Sequence, residues 1–296
     1  MAETPQDRLK QIQQFIARMP SLSTTVAKVL EICNDPKSSA NDLNKVISLD
    51  PVLTGQVLKL INSAYYGLPN RIASLTRAII MLGLNTVKNL VLATSILSSF
   101  KGNKALRGPL VDHFWEHSLG VGVTARVFAK RFNVPLQEQE EYFVSGLMHD
   151  LGKLPMMASF PSLYLQAIDM GAEQDMRSVD VENHLFGFEH CQVNQLIFAK
   201  WKLGNSICNT AVFHHAPFHS EIHRNQLVLG IGLANETMQR FKGRTMGDAS
   251  EEKEGLFQLL AKTCGIDLDQ IFSLQNDIEE QIEMARIFLD VAGKGS

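Results

Sequence analysis

The sequence predicts an all-α protein, and three features of the 296-residue chain support this fold class. Apolar residues recur at spacings of three and four along most of the chain, as they do on the buried face of a helix. The first 100 residues contain no stretch in which apolar and polar residues alternate, the pattern of a half-buried strand. Several polar residues that cap helices precede the apolar stretches. We therefore expect a multi-helix bundle with an N-terminal helical subdomain.

Start signals for short helices are clear in the N-terminal part. Ser39 followed by Asp42 predicts a capping box, in which each residue bonds the backbone of the other. Asp50–Pro51 predicts another start, because Asp caps the exposed amides and Pro fits the first helical position. Two further short helices are expected to be capped by Ser74 and Asn85.

A Gly- and Lys-rich segment at 100–109, FKGNKALRGP, separates two strongly apolar blocks and is the expected boundary within the chain. The helices expected beyond it cover a segment from His113 to Phe132 and residues 142–154, 160–175, 183–201, 207–213, 227–238 and 251–263. Residues 243–250 are expected to form a mobile loop. The apolar stripe of the last helix, 271–289, is expected to close the core; pairing with a second chain as a homodimer is the alternative.

Composition argues against several classes of function. The net charge of -3 and a pI near 6.3 give no electrostatic basis for binding nucleic acid or an anionic membrane. Residues 50–67 could form a helix-turn-helix, but Lys59 is its only basic contact for DNA. The N-terminus is polar and no run of about 18 apolar residues occurs, so a cytoplasmic protein is expected. Four dispersed cysteines indicate reduced thiols.

The adjacent pair His149-Asp150 is the most informative feature of the chain. It lies in EYFVSGLMHDLGKL, residues 141–154, at the expected end of an apolar helix. Burying two such groups without partners costs a few kcal/mol each. A metal, a hydrogen-bond network or an opposite charge is therefore expected next to them.

Further polar residues extend this pair into a candidate metal site. The expected ligands are His117, His149, Asp150, His190, His214 and His215. Imidazole and carboxylate ligands without thiolates suit iron, manganese or zinc and favour a site with open positions. Such a site activates water and binds phosphate in metal-assisted phosphohydrolysis, with Asp150 and Lys153 as candidate catalytic residues. The alternative for any single histidine is an ordinary hydrogen-bonded residue, which we expect of His113, His184, His219 and His223.

Several motifs resemble the HD superfamily of metal-dependent phosphohydrolases, and more closely its HDOD branch of bacterial signalling output domains. In the first part these are MPSLSTTVAKVLEIC, SLDPVLTGQVLKLINSAYYG and IASLTRAIIMLGLNTVKNLV. In the second part they are WEHSLGVGVTAR, GLMHDLGK, FGFEHCQVNQLIFAKW and FHH. The resemblance covers about residues 15–238. It implies an N-terminal helical part at 1–100, an HD-like core at 101–240 and C-terminal helices at 241–296 that pack on the core.

The resemblance also assigns metal ligation to the histidines and to Asp150, with one departure. The superfamily pattern ends in an aspartate, whereas this chain has Asn235, an uncharged and weaker ligand. A regulatory module that binds a protein partner or a small phosphate-containing ligand, without efficient turnover, is therefore the first functional hypothesis. A metal-dependent phosphohydrolase acting on a nucleotide or phosphomonoester is the second.

Overall fold

The structure, a computed structural model, describes residues 3–35, 37–100, 103–222, 224–241 and 251–291. These ranges contain eighteen α-helices and no strand, so the all-α prediction is confirmed. The N-terminal helices are α1 (Pro5–Arg18), α2 (Thr24–Asn34), α3 (Ala40–Ile47), α4 (Pro51–Ile61), α5 (Leu75–Leu82) and α6 (Leu84–Ser99). The central helices are α7 (Pro109–Arg131), α8 (Leu136–Met148), α9 (Lys153–Ser159), α10 (Pro161–Glu173), α11 (Ser178–Phe186), α12 (His190–Trp201), α13 (Asn205–Phe213) and α14 (Gln226–Phe241). The C-terminal helices are α15 (Glu251–Cys264), α16 (Leu268–Ser273), α17 (Gln275–Ala285) and α18 (Ile287–Val291).

Three of the four expected caps are present. The Asp50 carboxylate accepts a hydrogen bond from the Leu53 amide at 2.9 Å. Ser39 and Asp42 form the predicted capping box, and Ser74 caps α5. The expected cap at Asn85 is wrong, because α6 begins at Leu84, directly after Gly83. Gly83 has a φ of 88°, and this left-handed conformation turns α6 sharply away from α5.

The turn after α4 is closed by one side chain. Asn62 accepts a hydrogen bond from the Ile72 amide at 2.7 Å and donates to the Ile72 carbonyl at 2.9 Å. This pair of bonds brings the two ends of segment 62–72 together. Tyr65 and Tyr66 within the segment are thereby held against the central helices.

Two glycines allow a close contact between α7 and α8. A Cβ atom on Gly146 of α8 would lie 2.7 Å from the Cα atom of Gly122 on α7. A Cβ atom on Gly122 would lie 2.7 Å from the Phe143 carbonyl oxygen. Only glycine permits this separation of the two backbones. The contact places the end of α8, with His149, beside the middle of α7, with His117.

Three segments predicted as continuous helices are interrupted. The segment 142–154 is divided by a turn at 149–152, and 183–201 is divided at Gly187, which has a φ of 83°. The last segment forms three short helices rather than one. The interruptions matter for function, because two of them place His149, Asp150 and His190 at helix ends. The expected mobile loop at 243–250 lies outside the described residues.

The C-terminal helices pack on the rest of the protein. Helix α17 packs against α7, and α18 packs against α4 and α6. Ile271, Ile278 and Ala285 of the predicted stripe are fully buried, so the stripe closes the core. Within the described ranges, no single helix has the length and apolar character to cross a membrane; α5 and α6 meet that test only together, bent by 118°.

Candidate metal centre

His149 occupies the end of α8, where the helix gives way to a turn. The side chain is fully buried, and its Nδ1 lies 2.6 Å from the Gly146 carbonyl oxygen. A carbonyl oxygen only accepts, so Nδ1 donates to it and Nε2 is the ring nitrogen left to face the site. That Nε2 atom lies 3.2 Å from the Asp150 Oδ2 atom. The Gly146 carbonyl therefore orients the His149 ring towards Asp150.

Asn194 of α12 holds the turn that carries His149 and Asp150. Its Oδ1 accepts from the Gly152 amide at 2.6 Å, and its Nδ2 donates to the carbonyl oxygens of His149 at 2.5 Å and Ala211 at 2.8 Å. Gly152 is required here, because a Cβ atom would lie 2.2 Å from the His190 carbonyl oxygen. The turn, α12 and α13 are thus connected through one buried amide.

His190 begins α12. As in His149, its Nδ1 atom contacts an acceptor and its Nε2 atom faces Asp150. Both its backbone amide, at 2.8 Å, and its Nδ1, at 2.6 Å, donate to Oε2 of the buried Glu182. Its Nε2 lies 3.1 Å from Asp150 Oδ1. Burial lowers the pKa of His190, but the nearby negative groups, including Glu182, outweigh burial and raise the pKa well above its usual value. A carboxylate behind an imidazole is the usual support of a metal-binding histidine.

His214 and His215 complete this side of the site. His214 Nε2 lies 3.4 Å from Asp150 Oδ1 and 3.4 Å from His190 Nε2. Burial lowers the pKa of His214 to about 3. Burial, followed by the neighbouring His214, also lowers the pKa of His215 well below its usual value. Both rings are thus neutral at pH 7 and have lone pairs available for a metal.

His117 approaches Asp150 from the other side, on α7. Its Nε2 lies 3.8 Å from Asp150 Oδ2 and 3.0 Å from Asn235 Oδ1 on α14. Asn235 therefore lies next to one of the candidate ligands. Its amide oxygen is a hydrogen-bond acceptor for the His117 ring, and it contributes no charge.

Asp150 is the common point of the site. Its side chain is buried, and Oδ2 forms an ion pair with Lys153 Nζ at 2.7 Å. Burial raises the pKa of Asp150, but the surrounding imidazole and ammonium groups outweigh burial and hold the pKa well below its usual value. Burial lowers the pKa of Lys153, yet Asp150 outweighs it and the pKa is raised. The carboxylate is ionised and Lys153 is charged at neutral pH.

The ligand atoms are spaced as a transition metal requires. The Asp150 Oδ1, His190 Nε2 and His214 Nε2 atoms lie 3.1 to 3.4 Å from one another. Ligands about 2.0–2.1 Å from a tetrahedral ion are separated by about 3.3 Å. Among the described residues, Asp150 Oδ1, His149 Nε2 and His215 Nε2 are buried atoms without a hydrogen-bond partner. The residues therefore fit a divalent metal, in two groups that share Asp150: one with His190, His214 and His215, the other with His117 and His149.

A cavity of about 370 Å³ lies beside these residues. Its lining includes His117, Asp150, Lys153 and His215 of the candidate centre. Most of the remaining wall is apolar and comes from the start of α7, from α9 and from α10. A small molecule can therefore reach the candidate metal centre.

The structure brings together all the site residues that the sequence proposed. The five expected histidine ligands and Lys153 surround the sixth, the Asp150 carboxylate, although their roles in metal binding and catalysis stay predictions. Sequence reasoning missed two buried residues, Glu182 and Asn194. Asn194 follows His190 by one helical turn, which was a usable signal. Of the other histidines, His113 lines the cavity, His184 is exposed, His219 stacks on Phe213 and His223 lies outside the described residues.

Fold and site together define an all-helical protein with a buried His/Asp cluster that could hold a metal ion. A model of the HDOD domain family matches residues 19–217, about two thirds of the chain. The protein belongs to the HDOD family. An uncharacterized protein from Treponema pallidum is 24% identical over 234 residues, covering 79% of this chain and 45% of that protein. The chain thus spans about half the length of that curated relative.

Solved structures share the fold. An HDOD domain protein of unknown function from Geobacter sulfurreducens is 24% identical, with a TM-score of 0.70 over 96% of this chain and 99% of that chain. A candidate metal-dependent phosphohydrolase from Shewanella amazonensis is 15% identical, with a TM-score of 0.66 over 96% and 97%. A candidate signal transduction protein from Marinobacter aquaeolei is 17% identical, with a TM-score of 0.73 over 99% and 67%. At these identities the likeness extends to the fold alone.

Proposed function

We propose that this HDOD protein is a regulatory, signal-transducing module that holds a divalent transition metal and binds a phosphate-containing ligand without efficient turnover. Iron, manganese and zinc all suit imidazole and carboxylate ligands. The metal would be held by Asp150 with His190, His214 and His215, and Lys153 would lie next to the bound anion. When bound, it would supply positive charge that attracts phosphate oxygens.

The observation that carries this proposal is the pairing of His117 with Asn235. The two side chains are 3.0 Å apart, and the amide provides no negative charge for a second cation. Phosphate hydrolysis by paired metals needs both ions to position the attacking and leaving oxygens. A site that holds one metal ion firmly and a second one weakly supports binding of a phosphate-containing ligand more than its hydrolysis.

Elemental analysis of protein purified without added metal tests the proposal. We expect close to one equivalent of iron, manganese or zinc, and loss of the metal in Asp150→Ala and His190→Ala. His184→Ala, an exposed histidine on α11, is the matched control and keeps the metal. A folded protein without metal contradicts the metal site. Robust metal-dependent phosphatase or phosphodiesterase activity that is lost in Asp150→Ala contradicts the absence of turnover.

A metal-dependent phosphohydrolase is the second candidate, favoured by the spacing of the Asp150, His190 and His214 ligand atoms. The Lys153 ammonium group lies 2.7 Å from Asp150 and lines the cavity, where it could bind a phosphate oxygen. A bound metal would lower the pKa of a coordinated water. Hydrolysis of aryl phosphates by the purified protein tests this function. Lys153→Met is then expected to lower the rate without changing the metal content, and Lys130→Met on the exposed face of α7 is the control.

A further inference from the structure

The wall of the cavity beside the candidate metal centre is chemically mixed. One part of it comes from the candidate centre itself, with His117, Asp150, Lys153 and His215. The rest combines a few polar residues with large apolar side chains from several helices: Leu110, Phe114, Met157, Tyr164, Ile168 and Met176. Small residues of α10, Ala167, Gly171 and Ala172, line the same space. This combination predicts a ligand with one charged group and an apolar remainder.

The charges on the cavity wall are already paired within the protein. Among the described residues of the lining, Arg177 is the only cation besides Lys153 and the histidines, and its guanidinium binds both oxygens of Asp180 at 2.8 and 3.2 Å. Glu236 pairs with Arg240 at 3.0 Å, and Glu182 accepts from His190. A second anionic group on a ligand would meet the carboxylates of Glu182 and Glu236 in the same lining and would compete with Asp180 for Arg177, so it would gain less than the first.

Ile168 indicates where the apolar part of the ligand would lie. Its side chain lines the cavity and is 36% exposed, so it presents apolar surface that the protein itself does not cover. Covering such surface favours binding by about fourfold for each CH₂ group that the ligand buries there. The volume of about 370 Å³ is at the lower end of the range for small-molecule sites.

From this arrangement we infer that the cavity binds a phosphomonoester with a single anionic group and an uncharged, apolar organic part. The phosphate lies at Lys153 and the metal, and the organic part lies between α7, α9 and α10. A ligand with two phosphates, including a dinucleotide, is disfavoured. The inference rests on the proposed function, because it assumes that the candidate centre holds a metal and accepts phosphate.

Three probes of matched structure test the inference: inorganic phosphate, butyl phosphate and butane-1,4-diol bisphosphate. Their affinities are measured by titration calorimetry on the full chain loaded with Mn²⁺. We expect butyl phosphate to bind at least about tenfold more tightly than inorganic phosphate, given partial burial of its CH₂ groups. The bisphosphate is expected to lack this gain in affinity over inorganic phosphate. Equal affinities for phosphate and butyl phosphate, or tightest binding of the bisphosphate, would overturn the inference and leave the proposed function standing.

Variants on α10 locate the apolar part. Ala167→Phe fills the cavity, and we expect it to reduce the ratio of butyl phosphate affinity to inorganic phosphate affinity to about one. Ile168→Trp fills the same cavity from its partly exposed side. This variant replaces Ala167→Phe in the test if Ala167→Phe does not fold. Leu165→Phe, which is exposed on the same helix and does not line the cavity, is the control and keeps the ratio. An unchanged ratio in folded Ala167→Phe or Ile168→Trp contradicts the inference. Failure of every probe to bind contradicts the proposed function as well.

Discussion

Asn235 differs from the aspartate of the superfamily pattern by one atom and one unit of charge. Its Oδ1 is 3.0 Å from His117 Nε2, so an uncharged oxygen lies beside this candidate ligand. His117 and Asn235 come from α7 and α14, and both belong to the weaker half of the site. The stronger half contains His190, His214 and His215, and the two halves share Asp150. A change at Asn235 therefore alters the weaker half while it leaves the shared carboxylate in place.

We predict that Asn235→Asp raises the affinity for divalent metal by about tenfold or more. A unit charge about 4 Å from a cation contributes a few kcal/mol at the effective dielectric of a protein, and the cost of burying the carboxylate reduces that gain. Competitive titration with a chelating dye measures the change, and metal stoichiometry shows whether a second ion binds. Asn235→Leu removes the amide without adding charge and is the control. If Asn235→Asp binds the metal no more tightly than the wild type, the missing charge does not limit metal binding beside His117.

At the scale of elements, α8 connects the metal centre to the N-terminal part. Near its start, the buried Glu140 forms an ion pair with Arg126 of α7 at 3.0 Å. The second oxygen of Glu140 accepts a hydrogen bond from the Tyr66 hydroxyl at 2.9 Å. The Arg126 guanidinium also lies 4.5 Å from the centre of the Tyr65 ring, within cation–π range. The same helix ends at His149.

We predict that Arg126→Met destabilises the protein by about 3–5 kcal/mol, because it leaves the buried Glu140 carboxylate without its cation. The double variant Arg126→Met/Glu140→Leu removes both charges and should recover at least half of that loss. Urea unfolding of the two single variants and the double variant measures the cycle. Additive losses would mean that the pair contributes nothing beyond the packing of each side chain.

Sequence reasoning was strongest where the information is local. The caps at Ser39, Asp50 and Ser74 depend on residues within one turn, and the sequence predicted them. The helix interruption at Gly187 was missed, although a glycine that ends a helix in the left-handed conformation is a local signal. Glu182 was missed because its role depends on a bond to His190 across two helices.

The candidate site shows the same difference between local features, which the sequence predicts, and tertiary contacts, which it does not. The residue types and the His149-Asp150 pair indicated metal chemistry, and the structure places all the proposed histidine ligands around the Asp150 carboxylate. What the residues could not indicate was the direction of each imidazole. That direction follows from the acceptors at Nδ1, the Gly146 carbonyl and Glu182, which are known only once the helices are packed. The cavity likewise exists only between helices that are distant in sequence.

At the scale of the whole molecule, three aromatic rings join the three expected parts of the chain. Tyr65 comes from the N-terminal part, Phe143 from the centre and Phe288 from the C-terminal helices. Their ring centres are 5.4 Å apart for Tyr65 and Phe143, 5.5 Å for Tyr65 and Phe288, and 4.6 Å for Phe143 and Phe288. The expected boundaries at 100 and 240 stay a prediction, but these contacts predict that the parts unfold together.

We predict that Phe288→Ala lowers the free energy of unfolding by about 3–5 kcal/mol, because it opens a cavity where the three parts meet. Unfolding in urea, followed by circular dichroism and by tryptophan fluorescence from Trp115 and Trp201, should give coincident single transitions in the wild type. Leu259→Ala, a half-exposed site on α15, is the control and should change stability by about 0.5 kcal/mol or less. A separate transition that Phe288→Ala leaves unchanged would show that one part folds independently of this contact.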